Sequence, residues 1–239
     1  MPDDNDLSPG KGVRDRRKLK QRAAWGLAQL TVAIGLAVLL PGGLQYREGW
    51  VFLCTFVFCS IVVTLDVLQR DPALLERRLA AGPGAEQRPR QKAIQALASV
   101  MFVASMLLPA FDHRYGWSQL PRSVAILGNV LLGLGFFAVS LVFRENTFAS
   151  AVVEVGAEQK VIDTGPYALV RHPMYAAAVV LVAGIPLALG SLWGLCVVPL
   201  FIALLVWRLL DEEVLLREQL PGYGSYCQKT RSRLLPHVW

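Results

Sequence analysis

The apolar residues of this chain come in blocks of roughly 17–21, bounded by charged or turn-forming residues, and no other feature limits the fold so severely. About 20 apolar residues in a helix cross the hydrocarbon core of a bilayer. Inside lipid the backbone must satisfy its own hydrogen bonds, so an unbroken apolar run of that length is a spanning helix. Four blocks fit, at 23–40, 49–68, 93–110 and 123–143. A further block, 176–210, is too long for one ordinary span and is interrupted at Gly184-Ile185-Pro186 and at Gly190-Ser191. It reads as a helical hairpin that crosses and returns. The expected fold class is all-α: a polytopic membrane helical bundle of about six membrane segments, the last two forming the hairpin. Composition agrees, because 54% of the 239 residues are hydrophobic, above the about 45–50% usual in soluble domains.

The 24 Lys and Arg residues give the expected orientation. Seven precede the first block (Lys11 to Arg22), six lie in 69–92, three in 144–175 and five after 207. Arg47, Arg114 and Arg122 fall on the other side. Cytoplasmic loops carry the basic excess in membrane proteins. Both termini and the 144–175 connection are therefore expected in the cytoplasm, in the inner or plasma membrane if the protein is bacterial. A net charge of +6 in a soluble chain would suggest nucleic acid. Here the basic residues flank apolar blocks, so anionic membrane lipids are the expected partner, and no nucleic acid. Cys54, Cys59, Cys196 and Cys227 form no C-x-x-C pair, and His113, His172 and His237 are scattered. Neither a disulfide framework nor a metal site is expected. The start of the chain shows no cleavable signal pattern; residues 1–10 are acidic and expected to be disordered.

Few polar residues lie within the blocks. Asp66, about one turn from the end of its block, either pairs with Arg70 at i+4 or serves a function. Gly128, Gly133 and Gly135 allow close helix packing. Asn129 and a few Ser and Thr are the other mid-block polar groups, which disfavours a transporter. The basic connection 69–92 contains Ala-Gly-Pro-Gly at 81–84, expected to be flexible.

The 144–175 connection begins a short extended piece at Val152 and Val153. It ends in Gly165-Pro166-Tyr167-Ala168-Leu169-Val170-Arg171-His172-Pro173-Met174-Tyr175. Gly165-Pro166 reads as a turn. Pro173 keeps His172 out of a helix and suits the first turn of the next one. Met174 and Tyr175 then open a helix whose free N–H groups favour a negatively charged ligand group. The alternative is a juxtamembrane connector in which Arg171 and His172 meet lipid headgroups. Beyond the hairpin, Arg208 and Glu212 share one helix face. They form either an exposed ion pair, worth a few tenths of a kcal/mol, or the wall of a membrane-edge pocket in which the arginine holds a carboxylate bidentately. Tyr223 and Tyr226 in the tail are either interface aromatics or a cover for that pocket.

These elements, in this order, resemble the isoprenylcysteine carboxyl methyltransferase family, one of the phospholipid methyltransferase-like integral membrane methyltransferases. The resemblance rests on the Gly-x-Tyr-x-x-x-Arg-His-Pro-x-Tyr loop at 165–175, the hairpin, Arg-x-x-x-Glu-Glu at 208–213, the paired tyrosines and the basic tail. It covers 152–239; the first four blocks match only in being apolar, and 69–92 has no counterpart. It implies S-adenosylmethionine bound in a cytoplasmic pocket and an acceptor arriving from the membrane. By position it puts the cofactor at Gln159, Lys160, Val161, Ile162, Tyr167, His172, Pro173, Met174, Tyr175 and Glu212. Arg208 would face the acceptor carboxylate, making Arg208 and Glu212 the implied catalytic pair. Glu154 aligns, across a gap, with a cofactor-contacting glutamine. The family's frequent glycine two residues after the motif tyrosine is Ala177 here, and Pro-Gly-Tyr-Gly replaces the more usual Phe-Gly-x-x-Tyr. The chain divides accordingly into a basic cytoplasmic tail (1–22), four transmembrane helices (23–143) and a methyltransferase region with the hairpin and a cytoplasmic C-terminal segment (144–239).

The implied reaction is methylation of a carboxylate on an isoprenylcysteine-like or other lipophilic acceptor, which needs no general base. A lipid amine or small thiol would need one, and Glu212, Glu213 and His172 are available. A non-catalytic protein of the same fold that binds lipid or a partner is the remaining alternative, and cofactor binding separates it from the enzyme.

Overall fold

The computed structural model describes residues 9–79, 84, 86, 88–149 and 159–239, with side chains from residue 15. Expectations for residues 1–8, for the run at 81–83, for Val152 and Val153 and for Glu154 lie outside the described residues. Among those described, regular structure is helical throughout: α1 (Pro9–Gly42), α2 (Arg47–Arg70), α3 (Pro72–Leu79), α4 (Pro89–Tyr115), α5 (Arg122–Glu145), α6 (Pro166–Leu169), α7 (Pro173–Ala188), α8 (Val197–Gln219) and α9 (Tyr223–Lys229). Local chemistry sets many of the boundaries. Pro89, Pro166 and Pro173 each open a helix, where the missing N–H costs nothing. Gly116 closes α4 in the left-handed conformation, φ +65°.

The helices run past the apolar blocks at both ends. The basic run Lys11 to Arg22 is helical, within the first part of α1. Five helices are long and apolar enough to cross a membrane: α1, α2, α4, α5, and α8 together with its leading 3-10 turn, Trp193–Gln219. Large apolar side chains such as Val32, Leu36, Phe58, Val62, Val100, Ile126, Leu134 and Phe137 are exposed along them. So much apolar surface requires lipid as the solvent. This is an integral membrane protein, and α7 with α8 makes the expected hairpin.

Helix α7 is the exception in length. Its 16 residues rise about 24 Å, short of the about 30 Å hydrocarbon core. It is clamped against α5 by glycines. A Cβ on Gly128 would lie 2.0 Å from the Ala188 backbone nitrogen, and one on Gly135 would lie 2.6 Å from Leu181. Gly133, expected to share this role, faces open space. Gly128 lies beside Ala188 and Gly135 beside Leu181, so α7 runs antiparallel to α5 and its N-terminal end comes near the C-terminal end of α5, where Gly165 of the preceding loop meets Glu145. Ala177, at 2% exposure, sits in the packed face of this short helix.

The main core joins α1, α2, α4, α5 and α7 through Val38, Phe52, Phe56, Met106, Leu132 and Ile185, with Phe56 and Phe136 edge to face at 5.1 Å. The α7–α8 turn is held by Asp112, 1% exposed. Its carboxylate accepts the Ser118 N–H (2.7 Å) and the hydroxyls of Ser118 and Ser191. Asp66 pairs with Arg70 (2.7 Å), the i+4 partner expected, and also with Arg144 on α5 (3.2 Å).

Candidate active site

At the other end of the hairpin lies a cavity of about 610 Å³. Its wall is assembled from α3, α4, the loop before α7, α7, α8 and α9. Every residue that the resemblance singled out in the described part of the chain lines it: Gln159, Lys160, Val161, Ile162, Tyr167, His172, Pro173, Met174, Tyr175, Arg208 and Glu212. Glu154 lies outside the described residues. Residues 160 and 208, distant in sequence, are thus brought to one space.

The loop is shaped by a few constraints. Gly165 has φ +55°, and a Cβ there would lie 2.7 Å from a Glu145 carboxylate oxygen; the Thr164 hydroxyl donates to that same carboxylate. Tyr167 accepts a hydrogen bond from Asn146 (2.7 Å), and its carbonyl accepts the Tyr226 hydroxyl (2.8 Å). Burial pushes the Tyr167 phenol up to about 12, so it stays a neutral donor. Arg171 and His172 donate their N–H groups to the carbonyls of Ser232 and Arg233 (2.9 and 3.0 Å). In α7 the Ala176 N–H bonds to the His172 carbonyl at 3.1 Å, and the N–H groups of Met174 and Tyr175 precede it at the cavity.

The two neighbouring glutamates of α8 have different surroundings. Glu212 reaches the cavity and accepts the Tyr175 hydroxyl at 2.5 Å. The same tyrosine oxygen accepts from Arg208 Nε at 3.1 Å, so Arg208 and Glu212 are linked through Tyr175. Arg208 donates its other nitrogens to Gln95 (2.9 Å) and Glu86 (2.8 Å). Glu213, 1% exposed, turns away from the cavity. It pairs with Arg171 (2.9 Å), Arg217 (3.0 Å) and Arg233 (3.2 Å), and lies 3.2 Å from His172 Nε2. The second glutamate, which looked available as a base, is instead the post to which the Arg-His-Pro loop and the tail are tied. Arg171 and His172 meet Glu213 rather than lipid headgroups.

Sequence reasoning missed the contribution of 69–92. Its positive charge suggested headgroups, yet its arginines bind protein. Asp211, buried behind the site, pairs with Arg88 (3.0 Å) and Arg90 (3.2 Å) and accepts from Gln91 (2.6 Å). Glu86 holds Arg208, and Arg78 on α3 enters the cavity wall. The Arg78 guanidinium lies 4.6 Å from the Phe143 ring centroid, and its Nη2 is 3.6 Å from Met174 Sδ. Burial pushes Arg78 down to about 10, so it remains charged at neutral pH. The tail was also underestimated. Tyr223 and Tyr226 are 4% and 5% exposed, line the cavity, and pack with Val161, Tyr167, Leu216 and Leu220. They are cover, not interface aromatics.

Chemically the cavity has two ends. Ala98, Phe102, Val103, Ala178, Phe201 and Leu205 make an apolar end among α4, α7 and α8. The polar end carries phenols, amides, Glu212 and several cations. Residues 123–221 match the phospholipid methyltransferase family model, from the start of α5 to the end of α8, and no curated protein matches the chain. The match starts before the residues that carry the isoprenylcysteine carboxyl methyltransferase resemblance and stops before Tyr223, but it encloses the loop, the hairpin, Arg208 and Glu212. The chain therefore carries a phospholipid methyltransferase-family domain, the methyltransferase core of an integral membrane protein.

Proposed function

We propose that this protein is an S-adenosylmethionine-dependent methyltransferase that methylates a carboxylate on an isoprenylcysteine-like or other lipophilic acceptor. The observation that carries the proposal is the joining of Glu212, Tyr175 and Arg208 by hydrogen bonds at the junction of the polar and apolar ends of one cavity. The cavity volume of about 610 Å³ is in the range of small-molecule sites, about 300–1,000 Å³, and the donor set suits the cofactor. Backbone N–H groups open α7, a carboxylate stands at Glu212, and Gln159 to Ile162 and Tyr167 line the polar end.

The bound cofactor would supply an electrophilic methyl group on a sulfonium, and an acceptor carboxylate, already deprotonated, would need no general base from the chain. The chain's own work is then positioning and electrostatics. Glu212 and Tyr175 hold the cofactor, and the α7 opening favours its carboxylate. Arg208, fixed by Glu86 and Gln95, aims the acceptor carboxylate. The tail tyrosines exclude water. Arg78, Lys160, Arg171 and Arg208 line the cavity against Glu212, the one carboxylate among the described lining residues. Arg171 and Arg208 are each paired with a carboxylate behind the wall, so the preference for the acceptor rests on the guanidinium of Arg208, which matches a carboxylate better than a protonated lipid amine. The basic flanks support a cytoplasmic position for this site.

A labelled-methyl assay against a farnesylcysteine carboxylate, a lipid amine and a small thiol tests the acceptor class, and only the carboxylate should be methylated. Arg208→Ala should lose turnover, by about a hundredfold or more for a charge-assisted contact made to the reacting group, while S-adenosylhomocysteine still binds. Loss of that binding would remove Arg208 from the acceptor side.

A further inference from the structure

The tail presents two tyrosines to the cavity, and their hydroxyls are treated differently. Tyr223 and Tyr226 both belong to α9 and line the cavity. They share one apolar cluster, with ring centroids 5.8 Å apart, and are almost equally buried, at 4% and 5% exposure. The Tyr226 hydroxyl donates to the Tyr167 carbonyl at 2.8 Å. The Tyr223 hydroxyl is buried and has no hydrogen-bond partner among the described residues. Burying a hydroxyl without a partner is costly, because its bonds to water are given up and not replaced. A phenylalanine would fill the same space without that cost. Burial, with Glu213 next in effect, pushes the Tyr223 phenol above its ordinary value. The group is therefore a neutral hydroxyl that can both donate and accept.

We propose that the Tyr223 hydroxyl is a ligand-binding group of this cavity, hydrogen-bonded to the nucleoside part of the cofactor. The proposal rests on the methyltransferase reading and deepens it. Val161 and Tyr167, which pack in the same cluster, are among the residues expected to hold the cofactor, so the cofactor is the ligand that reaches this tyrosine. The cluster also selects which part. Val161, Tyr167, Leu216, Leu220 and Tyr226 make an aliphatic and aromatic wall, which suits a flat, uncharged base and its sugar better than an amino-acid zwitterion. The charges that act on Tyr223 are already engaged: Glu213 and Arg171 pair at 2.9 Å, and Glu212 holds the Tyr175 hydroxyl. The tail then does more than cover the pocket, because Tyr223 adds one directional bond to the ligand.

The test is calorimetric titration of the detergent-purified full chain with S-adenosylhomocysteine and, by displacement of it, with 5′-methylthioadenosine, which keeps the nucleoside thioether and lacks the amino-acid end. The denaturation midpoint of the ligand-free protein is recorded beside each titration. Tyr223→Phe removes only the oxygen. Loss of one neutral hydrogen bond should weaken both ligands by a similar factor, about threefold to tenfold. The ligand-free midpoint of Tyr223→Phe should be unchanged or higher, because no bond within the protein is lost. Tyr226→Phe, which does lose such a bond, should lower it. Weakening of S-adenosylhomocysteine alone would move the hydroxyl to the amino-acid end and overturn the assignment. Unchanged binding of both ligands would overturn it too, as would a ligand-free midpoint that falls as far in Tyr223→Phe as in Tyr226→Phe. A wild-type protein that binds neither ligand would instead overturn the methyltransferase reading itself, before any variant is compared.

Discussion

The two ends of the α7–α8 hairpin bury carboxylates by opposite means. At the turn end, Asp112 is satisfied by neutral groups: the Ser118 N–H and hydroxyl and the Ser191 hydroxyl. Ser191 Oγ in turn accepts the Gly194 N–H at 2.9 Å, so a few residues close the turn. At the site end, Glu213, Asp211 and Glu86 are satisfied by arginines from α3–α4, from the loop before α7, from α8 and from the tail. The first arrangement fixes a turn. The second fixes a cavity, because its ion pairs tie segment 86–90, the loop before α7 and the tail to α8. Its cost is that removing one partner leaves buried charge behind.

That contrast can be broken from the site end first. Glu213→Ala strands Arg171, Arg217 and Arg233, and should destabilise the protein by about 3–5 kcal/mol, read as a fall in denaturation midpoint in detergent. Cofactor-product binding should be lost with it, since the loop and tail lose their common post. At the turn end, Asp112→Ala should cost about 1–3 kcal/mol for the unsatisfied donors, while KM for both substrates stays near wild type. If Asp112→Ala raised KM as much as Glu213→Ala, the two ends would not be separable. Smallest is Tyr226→Phe, which removes one hydrogen bond from the tail to Tyr167. It should cost about 0.5–1.5 kcal/mol and be visible as a modest loss of S-adenosylhomocysteine affinity.

The same contrast explains what was legible in the sequence. Membrane segments are local and repetitive, so the apolar blocks announced α1, α2, α4, α5 and the hairpin, and the spacing of Asp66 and Arg70 gave their i+4 pair. The residues of 159–175 and the Arg208/Glu212 pair were legible because a motif carries its own order. The clamps were not. Glu212 and Glu213 are adjacent, and only the helix rotation between them sends one to Tyr175 and the other to Arg171. Arg78, Arg88 and Arg90 read as headgroup anchors, since composition cannot tell an arginine facing lipid phosphate from one facing Asp211 in α8. Gly133 looked like Gly128 and Gly135, but it faces away from α7. Tyr223 and Tyr226 needed the loop–tail pairing, Arg171 to Ser232 and His172 to Arg233, to become cover for a pocket.

The most direct measurement is isothermal titration of S-adenosylhomocysteine into detergent-purified protein, wild type beside Glu212→Ala, with the melting temperature of each recorded. The account predicts saturable binding by wild type, lost or much weakened in Glu212→Ala, and nearly equal melting temperatures, because Glu212 faces the cavity while Glu213 carries the fold. No binding to folded wild-type protein, or equal binding by the variant, would contradict it.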